Sequence, residues 1–318
     1  MRPATQQSLI DTGRRLSSHL PGAWDRRARE LAKIALNYRG ARRLAARHVQ
    51  FALVRHGSPM LVVPFGPGQI VVDPADEEVG RTVFITGGYE REHMAAAVRH
   101  LRAAGRPVDG KVFVDAGANI GTSTLDALLQ FGFARAVSFE PDAANARLLR
   151  LSAQLNDLGP RIEVHTVALS DHDGTVGLQR SHSNSGDHRV VALDSNGHNG
   201  QGPPQPEGET VECRRLDSYF GPGGSAPGDV GLVWVDTQGH EPHVLAGAPA
   251  LLGAGVPFVV EYCPWVLLEG AAALEAQIAD HFSLVVDLRE GAELVPADVP
   301  RLRARYATRG YTDLLLVP

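Results

Sequence analysis

From Lys111 to the end, this 318-residue chain alternates short β-type runs with helical stretches, and that alternation is its strongest constraint. "KVFVDAG", "RAVSFEP", "RIEVHTVAL", "GLVWVD", "PFVVEYC", "SLVVDL" and "YTDLLLV" read as strands bounded by Gly, Pro or charge. Between them, "TSTLDALLQFG", "DAANARLLRLSAQLNDLG", "EPHVLAGAPALLGAG" and "GAAALEAQIADHF" read as helices. In the second of these, Ala144, Leu148, Leu151 and Leu155 share a face, with Asp142 as N-cap and Gly159 as C-cap. Strand–helix alternation gives an α/β fold, a mostly parallel sheet with helices on both faces. Ligands of such sheets sit at the carboxyl ends of the strands, where strand order reverses.

The first of those strands ends in "VFVDAGANIG", residues 112–121. Gly117 and Gly121 are the points where backbone can approach a ligand at low steric cost. Gly121 leads into a helix, whose first N–H groups are free to point at that ligand. A dinucleotide fingerprint needs G-x-G-x-x-G, and Asn119 stands where its second Gly should be. Asp115 puts a carboxylate beside the turn, a poor neighbour for a diphosphate. A ligand with an ammonium and a positive centre suits it, and S-adenosylmethionine has both. Glu140 ends the next strand, and an acid at this spacing accepts hydrogen bonds from ribose hydroxyls.

Two regions interrupt the alternation. Residues 49–86 hold "VQFALV", "MLVVPF", "QIVVD" and "TVFIT", which read as a small set of β-strands. Residues 170–230 hold "TVGLQR" and "TVECRRLDSYF" as strands around a polar stretch, of which 195–208 reads as loop. Residues 5–50 read as helices. Two parts follow: 1–88, a helical segment plus a small β region, and 89–318, the ligand-binding domain.

Charge is unevenly spread. Residues 1–50 carry eleven Lys/Arg against three Asp/Glu, while the whole chain has net charge −5. The basic segment fits either peripheral contact with a membrane surface or docking on the acidic remainder of the chain. The overall balance carries no nucleic-acid signal. No apolar run reaches membrane-spanning length, and no secretion signal is apparent. Cys213 and Cys263 are too few for a disulfide scaffold, so a reduced, cytoplasmic setting is expected.

"FVDAGANIGTST", "SFEPDAANARLL", "VALSDHDGTVGL", "RRLDSYF", "VDTQGHEPHVLAGAPALL" and "FVVEYCPW", with the closing "YTDLLLVP", together resemble the FkbM-type methyltransferases over residues 88–318. The resemblance implies a class I methyltransferase, Rossmann-like, with a seven-stranded sheet whose last strand is antiparallel. It implies S-adenosylmethionine as donor and a hydroxyl of a sugar, glycan, glycolipid or natural product as acceptor. Carried over by position, it assigns Asp115, Gly117, Asn119 and Gly121 to the cofactor loop and Glu140 to the ribose. Ala168 to Asp171, including Ser170, would lie near the adenine. Asp236 closes the fourth strand beside the methyl group, and Glu261 closes the fifth. The family's usual "DVEGAE" reads "DTQGHE" here. Gln238 therefore replaces a carboxylate and His240 a small residue, so any role of that acid must move or lapse.

An alcohol is a poor nucleophile at neutral pH and needs a base or a metal. Asp236 is the first candidate base and His240 the second. Asp236 and Glu261, ending adjacent strands, offer two hard oxygen ligands suited to Mg²⁺. "NSGDHRV" (184–190) offers Asp187, His188 and Arg189 in a loop able to cover the site. Trp234 and Trp265 flank strand ends where a sugar ring can stack. Two competing readings are a non-catalytic S-adenosylmethionine-binding module, marked by the altered "DTQGHE", and a nucleotide-dependent oxidoreductase, against which Asn119 speaks.

Overall fold

The computed structural model describes residues 44–181, 184–191, 209–221 and 225–318, apart from His56 and Arg309. The basic segment up to residue 43 and the polar stretch 195–208 lie outside the described residues. No helix among the described residues is long and apolar enough to cross a membrane.

The expected strands assemble into one sheet. β3 (Val112–Ala116), β4 (Arg135–Phe139), β5 (Ile162–His165), β10 (Val230–Val235) and β11 (Phe258–Tyr262) run parallel, and β14 (Thr312–Val317) inserts antiparallel between β11 and β12 (Leu284–Asp287). The order is β13-β12-β14-β11-β10-β3-β4-β5. The sheet thus has eight strands rather than seven; the extra one, β13 (Ala292–Leu294), is a short antiparallel partner of β12 at the edge. Chain order reverses between β3 and β10, which places the ligand crevice beyond Ala116 and Val235.

Successive strand residues face opposite layers, and both layers are dry. Val112, Val114 and Ala116 join one core with Val233, Val235 and Leu245, whereas Phe113 joins the other with Leu125 and Phe133. Full burial of a side chain such as Phe113 contributes roughly 1.5–3 kcal/mol. The hairpin β1 (Leu61–Phe65) and β2 (Gly68–Val72) extends the second layer, because Phe65, Ile70 and Val72 pack in the same core as Phe113. Val71 N–H donates to Ser152 Oγ at 2.9 Å, tying the hairpin to helix Ala143–Leu155.

Several local expectations are corrected. "VQFALV" lies in a helix, 44–54, where Phe51 alone among Val49, Phe51 and Leu53 is buried, against Phe84. "TVFIT" ends α1 (Val79–Thr86) instead of forming a strand. Its Val79 and Val83 lie one turn apart on the buried face, and Gly87 N–H closes the end on Val83 O. Burial at helical spacing outweighs β-branched propensity there. α2 (Arg91–Ala103) and α3 (Thr122–Gln130) follow as expected. In α4 (Ala143–Leu155) Asp142 is the N-cap, accepting from Ala144 and Asn145 N–H. Its inner face, however, is Asn145, Leu148, Leu149 and Ser152, with Ala144 and Leu155 outside, and the C-cap is Asn156, not Gly159. "EPHVLAGAPALLGAG" divides into α5 (Glu241–Ala246) and α6 (Pro249–Gly253), since Pro249 has no N–H to continue the first helix.

"RIEVHTVAL" also divides. β5 keeps its first half, and β6 (Ala168–Leu169) leaves for a second sheet, ordered β6-β9-β7-β8. That sheet holds β7 (Gly174–Gln179), β8 (Arg189–Val191) and β9 (Glu209–Arg214). It carries residues 184–188 back over the strand tips.

Candidate active site

A cavity of about 310 Å³ opens beyond the carboxyl ends of β3, β4, β10 and β11. Its floor is the turn after β3. Gly117 has φ +86°, and a Cβ there would stand 1.8 Å from the Asp236 carbonyl oxygen. Only Gly lets the β3 turn and the β10 exit meet so closely. Gly121, φ +91°, has a different duty: its absent side chain leaves room for Leu149 of α4, 2.2 Å from where a Cβ would be. It does not line the cavity.

The turn is stitched to β4 by backbone. Gly117 and Ala118 N–H both donate to Phe139 O, at 3.0 and 2.9 Å. Asn119, in the left-handed region at φ +48°, donates its N–H to Glu140 Oε2 at 2.8 Å. Asp142 N–H donates to Glu140 Oε1 at 2.8 Å. Burial pushes Glu140 up to about 8, against the pull of those two N–H groups. Asp115 accepts from Thr124 Oγ1 at 2.5 Å, and Thr124 lies 2.8 Å from Ser138 Oγ. Burial pushes Asp115 up to about 7, with the Thr124 bond opposing.

The far side of the cavity collects acids from three separate segments: Glu90, Asp236 and Glu261. Gln238 Nε2 donates to Asp236 Oδ1 at 2.8 Å and to Glu261 Oε2 at 3.1 Å, bridging the two. Tyr311 donates to Glu90 Oε1 at 2.6 Å. Behind them, His93 Nδ1 lies 2.6 Å from Asp313 Oδ2. Burial, then Glu90 and Asp313, hold Asp236 well above the ordinary carboxylate range. Burial, then Asp236 and Glu241, do the same to Glu261. Burial, then Asp313, pushes Glu90 up to about 7, with Tyr311 opposing. Neighbouring carboxylates disfavour one another's charge, so these groups resist ionising together.

Residues 115–275 match the Methyltransferase FkbM domain family. The 2-O-methyltransferase NoeI of Sinorhizobium fredii is 30% identical over 196 residues, covering 57% of this chain and 76% of that protein. The chain belongs to the FkbM methyltransferase family. It is an S-adenosylmethionine-dependent methyltransferase, which sets the oxidoreductase reading aside. Among solved structures, FkbM of Methylobacillus flagellatus is similar at TM-score 0.42 and 15% identity, covering 74% of this chain and 52% of that one. This chain therefore spans about half the length of that protein. A geranyl diphosphate methyltransferase in complex with SAM is similar at TM-score 0.41 and 17% identity, covering 77% and 91%.

Within this FkbM domain, Asp115, Gly117, Asn119, Glu140, Ala168, Asp236 and Glu261 all line the one cavity. Gly121, Ser170, Asp171 and His240 do not. His240 precedes α5, with Nε2 3.0 Å from Ser170 Oγ and its ring stacked on His243 at 4.2 Å. Burial, then His243, pushes it down to about 4. Asp171 faces outward, 2.7 Å from His172 Nδ1, whose hydrogen bond lowers its pKa.

The covering loop is where "NSGDHRV" was expected. Asn184 to His188 line the cavity. Ser185 Oγ hydrogen-bonds Asp76 and lies 3.3 Å from Asn119 Oδ1, while Asn145 Nδ2 reaches Ser185 O at 3.5 Å. Trp234 and Trp265 also line it. Sequence reasoning missed Tyr89, Glu90 and Tyr311, which come from either side of the motif-bearing region. Tyr311 opens the quoted "YTDLLLVP" without a role being assigned to it, and Glu90 carries only the backbone sign of φ +47°.

Proposed function

We propose that this methyltransferase acts on an alcohol oxygen, a sugar hydroxyl being the leading acceptor class, with Asp236 as the base. The observation that carries this is a half-buried carboxylate, Asp236, sharing a cavity with the Asp115–Glu140 cradle. The 2-O-methyltransferase NoeI supports oxygen as the acceptor atom.

The cradle suits the cofactor chemically. Asp115 lines the cavity and offers it a carboxylate, which fits an ammonium. Each Glu140 oxygen takes one backbone N–H and retains a lone pair for a ribose hydroxyl. Ala168 contributes apolar surface on the adenine side. S-adenosylmethionine, when bound, supplies a methyl carbon activated by its sulfonium. Asp236 would take the hydroxyl proton as the acceptor oxygen bonds that carbon and the carbon–sulfur bond breaks to release S-adenosylhomocysteine, and Gln238 fixes the carboxylate for the purpose. Orientation of the two reacting atoms supplies much of the acceleration. His240 drops out of this role, because its ring is engaged with Ser170 and His243 outside the cavity.

Mg²⁺ fits this donor set poorly. Asp236, Glu241 and Glu261 can bring oxygens within 4.8 Å of one another. Glu241, however, is committed to Thr237 and Gly239 N–H groups at 2.8 to 3.1 Å. An amide N–H donor, not an oxygen, occupies the gap between Asp236 and Glu261. No step is assigned to a metal.

Transfer of an isotope-labelled methyl to a panel of sugars and hydroxylated metabolites tests the proposal. Label in an ether linkage, lost in Asp236→Asn, supports it. Tight S-adenosylhomocysteine binding with no transfer to any acceptor would favour the non-catalytic module.

A further inference from the structure

We infer that the acceptor of this enzyme carries a protonated amine close to the hydroxyl that is methylated. The inference rests on the alcohol-acceptor reading above and narrows it. Glu90, Asp236 and Glu261 line the same cavity and lie within Coulombic range of one another. Tyr89, Tyr311 and Trp265 supply ring surface beside them. No Lys or Arg among the described residues lines the cavity. His188 lines the cavity from the covering loop, 3.9 Å from Asp142, Arg189 beside it is paired with Asp187, and His93 is committed to Asp313 behind Glu90.

Unmet hydrogen-bonding capacity gives the second line of argument. Glu261 is only 9% exposed, yet its Oε1 has no hydrogen-bond partner among the described residues; Gln238 engages Oε2 alone. Asp236, half-buried, has Gln238 on Oδ1 and no partner on Oδ2 among the described residues. These oxygens belong to side chains that line the cavity, where an occupant that brings donors can pair with them. A phosphate, sulfate or carboxylate brings only like charge. A neutral hydroxyl brings one donor and no charge. An ammonium brings three donors and a positive charge, and the adjoining aromatic rings stabilise a cation further. The Asp115 side is separately accounted for by the cofactor's own ammonium, so the second group of acids is left for the acceptor.

The test uses the full chain saturated with S-adenosylhomocysteine, and binding of that molecule is measured first. Hexoses with an amine at position 2, 3 or 6 are then titrated beside their N-acetyl, neutral and 6-phosphate counterparts. At least one amine should bind at least about tenfold tighter than its N-acetyl and neutral partners. The 6-phosphate should not bind. Glu90→Gln should erase most of that preference while leaving S-adenosylhomocysteine affinity intact, which also reports that the variant folds. Equal or tighter binding of the neutral, acetylated or phosphorylated members overturns the inference, and so does failure of every amine to bind. Failure of S-adenosylhomocysteine itself to bind would instead strike the cofactor reading on which this rests.

Discussion

The two halves of the cavity handle buried acids differently. On the side proposed for the cofactor, Glu140 is held by backbone N–H groups of Asn119 and Asp142 and the turn is pinned to Phe139 O, with Thr124 Oγ1 on Asp115 the one side-chain donor named there. On the acceptor side, Asp236, Glu261 and Glu90 are held by the side chains of Gln238 and Tyr311. Backbone donors persist through substitution; side-chain donors change with one codon. A common donor can therefore be kept on one side while acceptor chemistry changes on the other. The departure from "DVEGAE" to "DTQGHE" falls on the changeable side.

Asp236→Asn probes the acceptor half with the largest expected effect. Loss of a general base lowers turnover by about 10²–10⁴-fold, and S-adenosylhomocysteine affinity should stay unchanged in calorimetry. Asp236 works as a base only when ionised, and burial, Glu90 and Asp313 raise its pKa. The wild-type rate should consequently fall as pH drops through that raised value, and the variant should lose that limb. Equal loss of turnover and cofactor affinity would merge the two halves and break the comparison.

Gly117→Ala strikes the point where the halves touch. The left-handed backbone costs about 1–2 kcal/mol, and the clash with Asp236 O, 1.8 Å from the new Cβ, adds about 1–3 more. A lowered denaturant midpoint together with lost S-adenosylhomocysteine binding is expected. Retained binding at full stability would mean that the turn and the β10 exit move apart freely.

The cavity wall proposed for the cofactor was legible because its residues are contiguous in sequence. "VFVDAGANIG" and "SFEP" contain the strand ends, the glycines and both acids within thirty residues. The acceptor half was legible only where an acid ends a strand, at Asp236 and Glu261. Tyr89, Glu90 and Tyr311 meet there through tertiary folding of segments more than two hundred residues apart, which local pattern does not record. Ser170, Asp171 and His240 illustrate the reverse error. They flank the right strand ends, but Ser170 and His240 turn away to bond each other. The misread "TVFIT" shows why propensity failed near the site: Val79 and Val83 are buried together, and only the finished core makes that helix favourable.

Gln238 offers a finer cut. Gln238→Ala removes one donor from two carboxylates and should cost turnover about tenfold, the scale of a hydrogen bond to a charged group. Gln238→Glu should convert the amide bridge into a third acid. Calorimetry should then detect Mn²⁺ binding by the variant and none by the wild type, since three clustered carboxylates suit a hard cation. Mn²⁺ binding by the wild type at the Asp236–Glu261 pair would show that the amide gives way to metal.

The smallest effect belongs to the cofactor half and concerns protons. Burial lifts Asp115 to about 7 and Glu140 to about 8 in the free protein. An ammonium beside Asp115 and ribose hydroxyls on Glu140 favour the ionised forms. The free protein therefore holds protons near neutral pH that the complex does not. S-adenosylhomocysteine affinity should rise as pH climbs through about 7 and about 8, then level off. Apparent binding enthalpy should differ between phosphate and Tris buffers by the heat of the released protons. Folding is linked with the opposite sign. Both folded pKa values lie above the unfolded ones, so this contribution to stability is full at low pH and is lost as pH rises through the folded values. Asp115→Asn should remove part of both slopes. Buffer-independent enthalpy would mean that the N–H groups on Glu140 and the Thr124 hydroxyl on Asp115 already keep both acids ionised, leaving hydrogen bonding, not burial, in control of this half.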